Sequence, residues 1–244
     1  GVALSACSKE GSSAPAAATK DADVQSRACA DAAPTSNVQD HTGDVRTSSH
    51  ALHNVHYLSA MLISGAVPEN DAAFDELKAM GVRTIISVDG AAPDVAAAEA
   101  RGLRYVHIPI TYAKVTDEQQ LEIARAIRDL PGPVYMHCHH GKHRGPAAAA
   151  SAAVALGMVS ADEGVAFMKQ AGTAPNYSGL YACVAQSSIA PAEVLDGAPS
   201  EFPAFRHAHG IVAAMVEVDV AFENIGEVRA AGWTTPEDHP DLVA

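Results

Sequence analysis

The chain contains no run of about twenty consecutive apolar residues, which is the length that a membrane-crossing helix requires, so we expect no transmembrane helix within it. Basic residues are also scarce: 16 Lys and Arg stand against 29 Asp and Glu, which gives a formal net charge of −13. This balance argues against a nucleic-acid partner, because phosphate backbones require a basic surface. An anionic ligand would need a local basic site, and Lys142 and Arg144 with their histidine neighbours form the obvious one.

Residues 134–146 predict a strand, a tight loop and a helix in that order. Val134 opens a short apolar run typical of a buried strand, and this run ends at His137 and Cys138. An alanine-rich run follows Pro146, so we expect a helix to begin near Pro146. This order aims the backbone N–H groups of the loop and the positive end of the helix dipole at one small volume.

A cysteine at the mouth of such a loop is expected to be reactive. The helix N-terminus, Lys142, Arg144 and the neighbouring histidines all favour the thiolate, which lowers the pKa of Cys138 from the free value of about 8.5. The same donors would hold a tetrahedral dianion, and the planar fork of Arg144 matches two phosphoryl oxygens. A nucleophile and an oxyanion site in one loop indicate phosphoryl transfer through a cysteinyl-phosphate intermediate.

The segment from His137 and Cys138 through five residues to Arg144, with Gly141 inside it, resembles the His-Cys-x5-Arg signature of the cysteine-dependent protein tyrosine and dual-specificity phosphatases. The resemblance covers roughly residues 57–185. It implies Cys138 as the nucleophile and Arg144 as the phosphate clamp. From the strand and loop pattern we expect His137 to be a buried residue that orients the loop by hydrogen bonds, and we assign no metal or cofactor. The residues expected to bind the phosphate are those of the loop: His139, His140, Gly141, Lys142, His143, Arg144 and Gly145.

The general acid is the first departure from the family pattern. The family usually places an aspartate on a loop some thirty residues before the cysteine, whereas residues 111–114 of this chain carry no carboxylate. Asp117 is the nearest aspartate and our first candidate, although a first-turn charge on a helix explains it equally well. Asp89, at the end of another predicted strand, is the second candidate.

Gly145 is the second departure. Family members commonly carry Ser or Thr directly after the arginine, and that hydroxyl helps the thiolate to leave the phosphoenzyme, which a glycine cannot do. We therefore expect slow turnover or accumulation of phosphocysteine, unless His139, His140 or His143 compensates.

Three alternatives remain open at this stage. The histidine cluster with Cys138 could bind a transition metal, but Lys142 and Arg144 would repel a cation, and phosphate fits better. The domain could bind phosphate without turnover, or it could be a rhodanese-like sulfurtransferase. The basic loop favours phosphotyrosine, phosphoprotein or phosphoinositide-type substrates without deciding between them.

Alternating strands and helices predict an α/β fold, with a mostly parallel central sheet flanked by helices, over residues 51–190. The predicted strands cover residues 57–63 (an edge strand followed by a turn at 64–68), 82–88, 103–110 and 134–136. The predicted helices cover residues 70–80, 94–101, 117–130, 146–156, 160–171 and 175–187, and an amphipathic helix over 205–232 predicts a helical extension at 191–244.

The first residues, Leu4 to Cys7, resemble a bacterial lipobox, whose cysteine is acylated after cleavage. Residues 1–7 are therefore expected to be the remnant of a lipoprotein signal, and residues 8–50, which are rich in Ser, Ala, Asp and Thr, a disordered, flexible tether. This predicts an extracytoplasmic location in a bacterial envelope, with membrane contact through the lipid anchor alone. Cys29 and Cys183 could pair there, or both could remain thiols. The oligomeric state stays open.

Overall fold

The computed structural model describes residues 51–207 and, beyond them, residues 218, 221, 222, 224–226, 228, 229 and 231–234. The predicted lipobox at Cys7, the tether over 8–50 with Cys29, and most of the stretch from 208 to 244 lie outside the described residues. Within the described part of the chain, no helix has both the length and the apolar character needed to span a membrane.

Five strands and seven helices lie within residues 56–197. The strands are β1 (His56–Ser59), β2 (Leu62–Gly65), β3 (Thr84–Ser87), β4 (Arg104–His107) and β5 (Val134–His137). The helices are α1 (Asp71–Ala79), α2 (Val95–Glu99), α3 (Asp117–Asp129), α4 (Arg144–Ala155), α5 (Ala161–Gln170), α6 (Ser178–Ala185) and α7 (Ala192–Gly197).

The strands form one sheet in the order β1-β2-β5-β3-β4, with β5 at its centre. β1 runs antiparallel to β2, and the other three pairings are parallel. The prediction of an α/β fold with a mostly parallel central sheet is confirmed. Ligands of such sheets bind at the carboxyl ends of the strands, and Cys138 directly follows the carboxyl end of β5.

The predicted single edge strand over residues 57–63 is wrong, because two strands joined by a tight turn occupy this region. β1 is the edge strand, and β2 lies inside the sheet between β1 and β5 with all four of its residues buried. The turn at Ala60 and Met61 lets the apolar residues of β2 be covered on both faces. Ser64 and Gly65 therefore belong to a central strand and not to the turn that we predicted there.

Each face of the sheet carries its own apolar core. On one face Leu62, Met136 and Cys138 pack with residues of α3, α4, α5 and α6. On the other face Ile63 and Tyr135 pack with residues of α1 and α2. Successive residues of β2 and β5 alternate between the two cores, as a strand covered on both sides requires.

All twelve residues of α4 are buried. The helix contacts α3, α5 and α6 as well as β2 and β5, so it has no solvent-facing side. The alanines after Pro146 meet this requirement, because their small side chains let the surrounding elements approach on every side. The helix begins at Arg144, two residues before Pro146, so the arginine and Gly145 form part of its first turn.

Side-chain caps fix the starts of four helices. Asn70 and Asp94 accept hydrogen bonds from the Ala73 and Ala97 N–H groups, and Thr116 and Ser160 each form a capping box. The helix predicted over 175–187 is shorter, at Ser178–Ala185, and the short α7 was not predicted.

Residues 201–207 form an irregular segment that lies against β4. The His107 N–H donates to the Pro203 carbonyl at 2.9 Å, the His107 and Phe205 rings stack at 5.4 Å, and Arg206 forms an ion pair with the buried Glu122. These contacts explain why the predicted helix over 205–232 does not begin at Phe205. The described residues between 218 and 229 are helical.

Candidate active site

The structure places Cys138 and Arg144 at the two ends of one loop, and both residues are buried. Cys138 follows β5 and is 3% exposed, and Arg144 opens α4 and is 2% exposed. This is the strand, loop and helix order predicted from residues 134–146. In the loop itself Gly141 and His140 are buried, whereas Lys142 is exposed.

Gly141 is held so closely that only glycine fits. It has a φ of +68°, and a Cβ there would lie 2.3 Å from the Gly65 carbonyl carbon and 2.5 Å from the Ala66 nitrogen. A side chain would therefore clash with the backbone that follows β2. This contact seats the loop directly on the carboxyl end of β2.

Three carbonyl oxygens of the loop accept hydrogen bonds from other parts of the chain. The His139 oxygen accepts from the Val67 N–H at 3.0 Å. The Gly141 oxygen accepts from Asn54 Nδ2 at 3.0 Å, and the Lys142 oxygen from Thr173 Oγ1 at 2.6 Å. In a trans peptide unit the C=O of one residue and the N–H of the next point in opposite directions. The amide N–H groups of His140, Lys142 and His143 therefore point away from these outer partners and toward the inside of the loop. A loop lined by N–H donors at a helix N-terminus is suited to bind an oxyanion.

Asp89 and Tyr112 fix the guanidinium of Arg144. Arg144 Nη2 lies 3.3 Å from Asp89 Oδ2, and the Arg144 Cζ lies 4.2 Å from the centre of the Tyr112 ring. Burial opposes ionisation of Asp89, but the charge of Arg144 and a hydrogen bond from the Ala91 N–H bring the pKa of Asp89 below its ordinary value. Asp89 is therefore suited to hold the arginine as an anion and poorly suited to deliver a proton.

His137 lies at the end of β5 with its ring buried. Its Nε2 is 2.6 Å from the Tyr105 hydroxyl, and its Nδ1 is 3.3 Å from the Cys138 carbonyl oxygen. Burial lowers the pKa of His137 to about 4, although the charge of Asp89 acts in the opposite sense. The ring is therefore neutral at neutral pH, and its contacts suit the orienting role that we predicted.

Asp117 is exposed on the first turn of α3, after the cap Thr116. It lines a cleft with Lys114, Gln120 and Cys183. Burial raises the pKa of the Cys183 thiol, and the charge of Asp117 contributes to the same rise. The structure thus places Asp117 beside Cys183, whereas Asp89 lies beside Arg144.

Tyr112 occupies the segment in which the family pattern would place a carboxylate. Its ring lies over Arg144 and beside Tyr177, with the two tyrosine rings 5.3 Å apart. Tyr177 is also 4.4 Å from the His143 ring. These three aromatic rings form one side of the candidate site. Sequence reasoning registered only the missing carboxylate and gave no role to Tyr112 or Tyr177.

The rings of His139 and His140 lie 4.3 Å apart at an angle of 65°. Among the described residues, no three His, Cys, Asp or Glu side chains converge in the way that a metal ion would require. Asn54 and Thr173, which bind the loop carbonyls, lie far from the loop in the sequence and carry no motif signal.

No family model matches the chain, and no curated protein sequence matches it either. Similar solved structures include TpbA of Pseudomonas aeruginosa with pTyr, which is 24% identical and covers 59% of this chain and 86% of TpbA with a TM-score of 0.47. A second TpbA structure is 23% identical and covers 62% of this chain and 94% of TpbA, with a TM-score of 0.48. The structure of PTPMT1 in complex with PI(5)P is 14% identical and covers 53% of this chain and 94% of PTPMT1, with a TM-score of 0.43.

Proposed function

We propose that this chain is a phosphomonoester hydrolase that acts through a cysteinyl-phosphate intermediate. One observation carries the proposal. In the loop between Cys138 and Arg144, three carbonyls are bonded to Val67, Asn54 and Thr173, so the N–H groups of the residues that follow them point away from those partners and toward the inside of the loop. A nucleophile inside a ring of N–H donors, with a guanidinium at the far end, suits attack on a phosphoryl group.

In this proposal the Cys138 thiolate attacks phosphorus in line with the leaving oxygen. The amides of residues 139–145 and the guanidinium of Arg144 hold the phosphoryl oxygens, and Asp89 and Tyr112 keep that guanidinium in place. Water then hydrolyses the phosphocysteine, which releases phosphate and regenerates the thiolate. No residue is assigned to a metal or a cofactor.

Asp117 remains the proposed general acid, which would protonate the leaving oxygen. A general acid contributes roughly 10²- to 10⁴-fold, so its absence would affect alkyl phosphates far more than aryl phosphates. The proposed substrates are phosphotyrosine or phosphoprotein, or small polyanions of the phosphoinositide type. Exposed Lys142 at the loop supports an anionic substrate and does not choose between these classes.

A second candidate function is phosphate binding with impaired turnover. It is favoured by Gly145 and by the segment 111–114, in which Tyr112 covers Arg144 and no carboxylate is present. The two functions differ in release of product, since a binding module would release little or no phosphate beyond one equivalent.

We further propose, from the lipobox-like residues Leu4 to Cys7, that the domain is anchored by an acylated Cys7 on the extracytoplasmic side of a bacterial envelope. Labelling of the expressed full precursor with a fatty acid analogue, beside Cys7→Ala, tests this separately from the enzymatic activity. Label on wild type and none on Cys7→Ala is the expected result, and equal label on both would contradict the anchor.

The activity is tested with the purified chain against p-nitrophenyl phosphate, phosphotyrosine peptides, phosphoserine peptides and inositol phosphates, beside Cys138→Ser and Arg144→Lys. Repeated turnover that disappears in Cys138→Ser is expected. Arg144→Lys keeps the charge but loses the planar fork, so activity should fall strongly there as well. Thiosulfate activity without phosphatase activity would favour the sulfurtransferase instead.

A further inference from the structure

Ser64 on β2 is a fully buried hydroxyl residue whose presence the proposed steps do not explain. It is 0% exposed, and its Oγ makes no hydrogen bond to any residue that the structure describes. Buried side-chain hydroxyls are nearly always hydrogen-bonded, because an unsatisfied one costs free energy. An apolar side chain would pack at this position without leaving a buried hydroxyl unsatisfied, so the hydroxyl of Ser64 is expected to have a role beyond packing.

The register of the sheet places Ser64 on the same face as Cys138. Ser64 pairs with Met136 in the parallel β2–β5 ladder, and Cys138 is two residues further along the chain. Side chains of paired residues share a face, and residues two apart on one strand also share it. Leu62, Met136 and Cys138 all belong to the core against α4, which agrees with this assignment.

Gly145 brings the start of α4 to the same place. A Cβ on Gly145 would lie 3.4 Å from Ser64 Oγ and 3.2 Å from the Cys138 backbone nitrogen. The hydroxyl of Ser64 therefore occupies the space directly beside the missing side chain of Gly145, next to the residue that bears the reacting sulfur. Ser64 Oγ makes no hydrogen bond to Cys138 in this structure, and it can turn toward a new acceptor because a serine side chain rotates about its Cα–Cβ and C–O bonds.

We propose that Ser64 is a catalytic residue of the second step, in which its O–H donates a hydrogen bond to the sulfur of Cys138 as the phosphocysteine breaks. This rests on the phosphatase activity proposed above. Water attacks phosphorus, so a P–O bond forms while the P–S bond breaks, and the electron pair of the P–S bond passes to sulfur. The proton of the water passes to the general base, which is the group that earlier served as acid. Ser64 keeps its own proton.

A buried sulfur that becomes an anion needs a donor, and hydrogen bonds to charged groups are roughly twice as strong as neutral ones. In this site the hydroxyl comes from β2 and not from the first turn of α4, where Gly145 has none to give. Ser64 thus supplies the compensation that the sequence led us to seek among His139, His140 and His143.

The test separates formation from decay of the phosphoenzyme by rapid acid quench, with p-nitrophenyl phosphate as the substrate. Ser64→Ala should form phosphocysteine at the wild-type rate to within about twofold. Its decay should slow by about tenfold or more, so that phosphoenzyme accumulates. The melting temperature of Ser64→Ala should not fall, because this substitution breaks no hydrogen bond among the described residues.

Ser151→Ala is the matched control, since Ser151 is a buried serine of α4 that donates to the Ala148 carbonyl. Both of its rates should equal those of wild type. In the double variant S64A/G145S, a serine at position 145 supplies the hydroxyl from the first turn of α4. Its Cβ requires the Cys138 backbone to shift by a few tenths of an ångström. The phosphoenzyme of this variant should decay faster than that of Ser64→Ala.

Equal decay in wild type and Ser64→Ala would overturn the role of Ser64 and leave the phosphatase assignment intact. The role of Ser64 would also be overturned if Ser64→Ala slowed formation and decay of the phosphoenzyme equally. The same holds if S64A/G145S melts like wild type but its phosphoenzyme decays as slowly as that of Ser64→Ala. If wild type forms no phosphoenzyme that depends on Cys138 and releases no phosphate, the proposed function fails together with this inference.

Discussion

Asp89 and Asp117 were the two candidates for the general acid, and the structure gives them opposite surroundings. Asp89 is 3% exposed, follows β3 and lies against the Arg144 guanidinium. Asp117 is exposed on the first turn of α3 and shares a cleft with Cys183. One carboxylate is held as an anion next to a buried cation, and the other can exchange protons with solvent.

This difference shows how the surroundings of a carboxylate, more than its distance along the chain from the cysteine, decide what it can do. A buried arginine needs a compensating charge, and Asp89 provides it. The lowered pKa of Asp89 means that it remains ionised where a general acid must carry a proton. Asp117 carries no such constraint, which leaves it as the proposed acid.

Replacement of Asp89 tests the comparison with the largest expected effect. Asp89→Ala leaves the guanidinium of Arg144 buried without its carboxylate, so the free energy of unfolding should fall by about 3–5 kcal/mol. Activity should be lost as well, because the clamp is no longer fixed. Urea unfolding of wild type, Asp89→Ala and Asp117→Ala measures this difference. An Asp89→Ala variant as stable as Asp117→Ala would remove the distinction between the two sites.

Asp117→Asn tests the other half of the comparison through leaving-group chemistry. If Asp117 protonates the leaving oxygen, kcat/KM for an alkyl phosphate should fall by roughly 10²- to 10⁴-fold. The value for p-nitrophenyl phosphate should fall much less, because that leaving group needs little protonation. A matched control is Glu118→Gln, which changes the next carboxylate on the same turn and should leave both substrates unaffected. Equal losses for both substrates, or none, would rule out Asp117 as the acid.

The pH dependence of stability should distinguish the two aspartates without any substrate. The folded pKa of Asp89 is lowered, so its ionised form stabilises the fold above the unfolded pKa, near 3.8, and this contribution is lost as the pH falls through the folded pKa. The stability difference between wild type and Asp89→Asn should therefore shrink as the pH falls below about 4. Urea titrations at stepped pH values measure it. A difference that grows in acid would contradict this account of Asp89.

His137 should make stability depend on pH over a separate range. Its folded pKa of about 4 lies below the ordinary 6.5, so the unfolded chain binds the proton more readily between these values. Stability should fall as the pH drops from about 6.5 to about 4, by up to about 3 kcal/mol, and should level off above that window. His137→Asn should flatten this part of the profile. A wild-type profile without any slope in the window would mean that the ring is not held neutral.

The smallest effect is expected for the stability of Asp117→Ala. A first-turn carboxylate interacts favourably with the helix dipole, which contributes roughly 0.3–1 kcal/mol at an exposed site. Thermal unfolding beside the cap variant Thr116→Ala should show the larger loss for Thr116, because the cap also satisfies a backbone N–H. A loss of several kcal/mol for Asp117→Ala would show a structural role that its exposed position does not suggest.

The parts of the fold that depend on local sequence could be predicted. The buried strand β5 and the loop after it follow from neighbouring residues. The hairpin of β1 and β2 was missed because an apolar run of this length fits one strand as well as two. Only the placement of β2 between β1 and β5 shows that it must be covered on both faces.

The candidate site was predictable as a motif and not as a set of contacts. The ends of the loop, Cys138 and Arg144, could be named from their spacing together with His137, Gly141 and the strand–loop–helix order around them. Its supports come from distant parts of the chain, since Asn54 bonds to Gly141 from 87 residues away and Asp89 reaches Arg144 from 55 residues away. Local patterns carry no information about such pairings. Ser64 was placed in a turn, so its position beside Gly145 could not be seen.

The most direct test of the account is capture of the phosphoenzyme on Cys138. Wild-type protein is mixed with a phosphotyrosine peptide or p-nitrophenyl phosphate, quenched in acid within milliseconds, and digested for mass spectrometry. We expect one phosphoryl group on the peptide that contains Cys138, none on the peptide that contains Cys183, and none in Cys138→Ser. Phosphate release by a wild-type protein whose Cys138 is never phosphorylated would contradict the central claim.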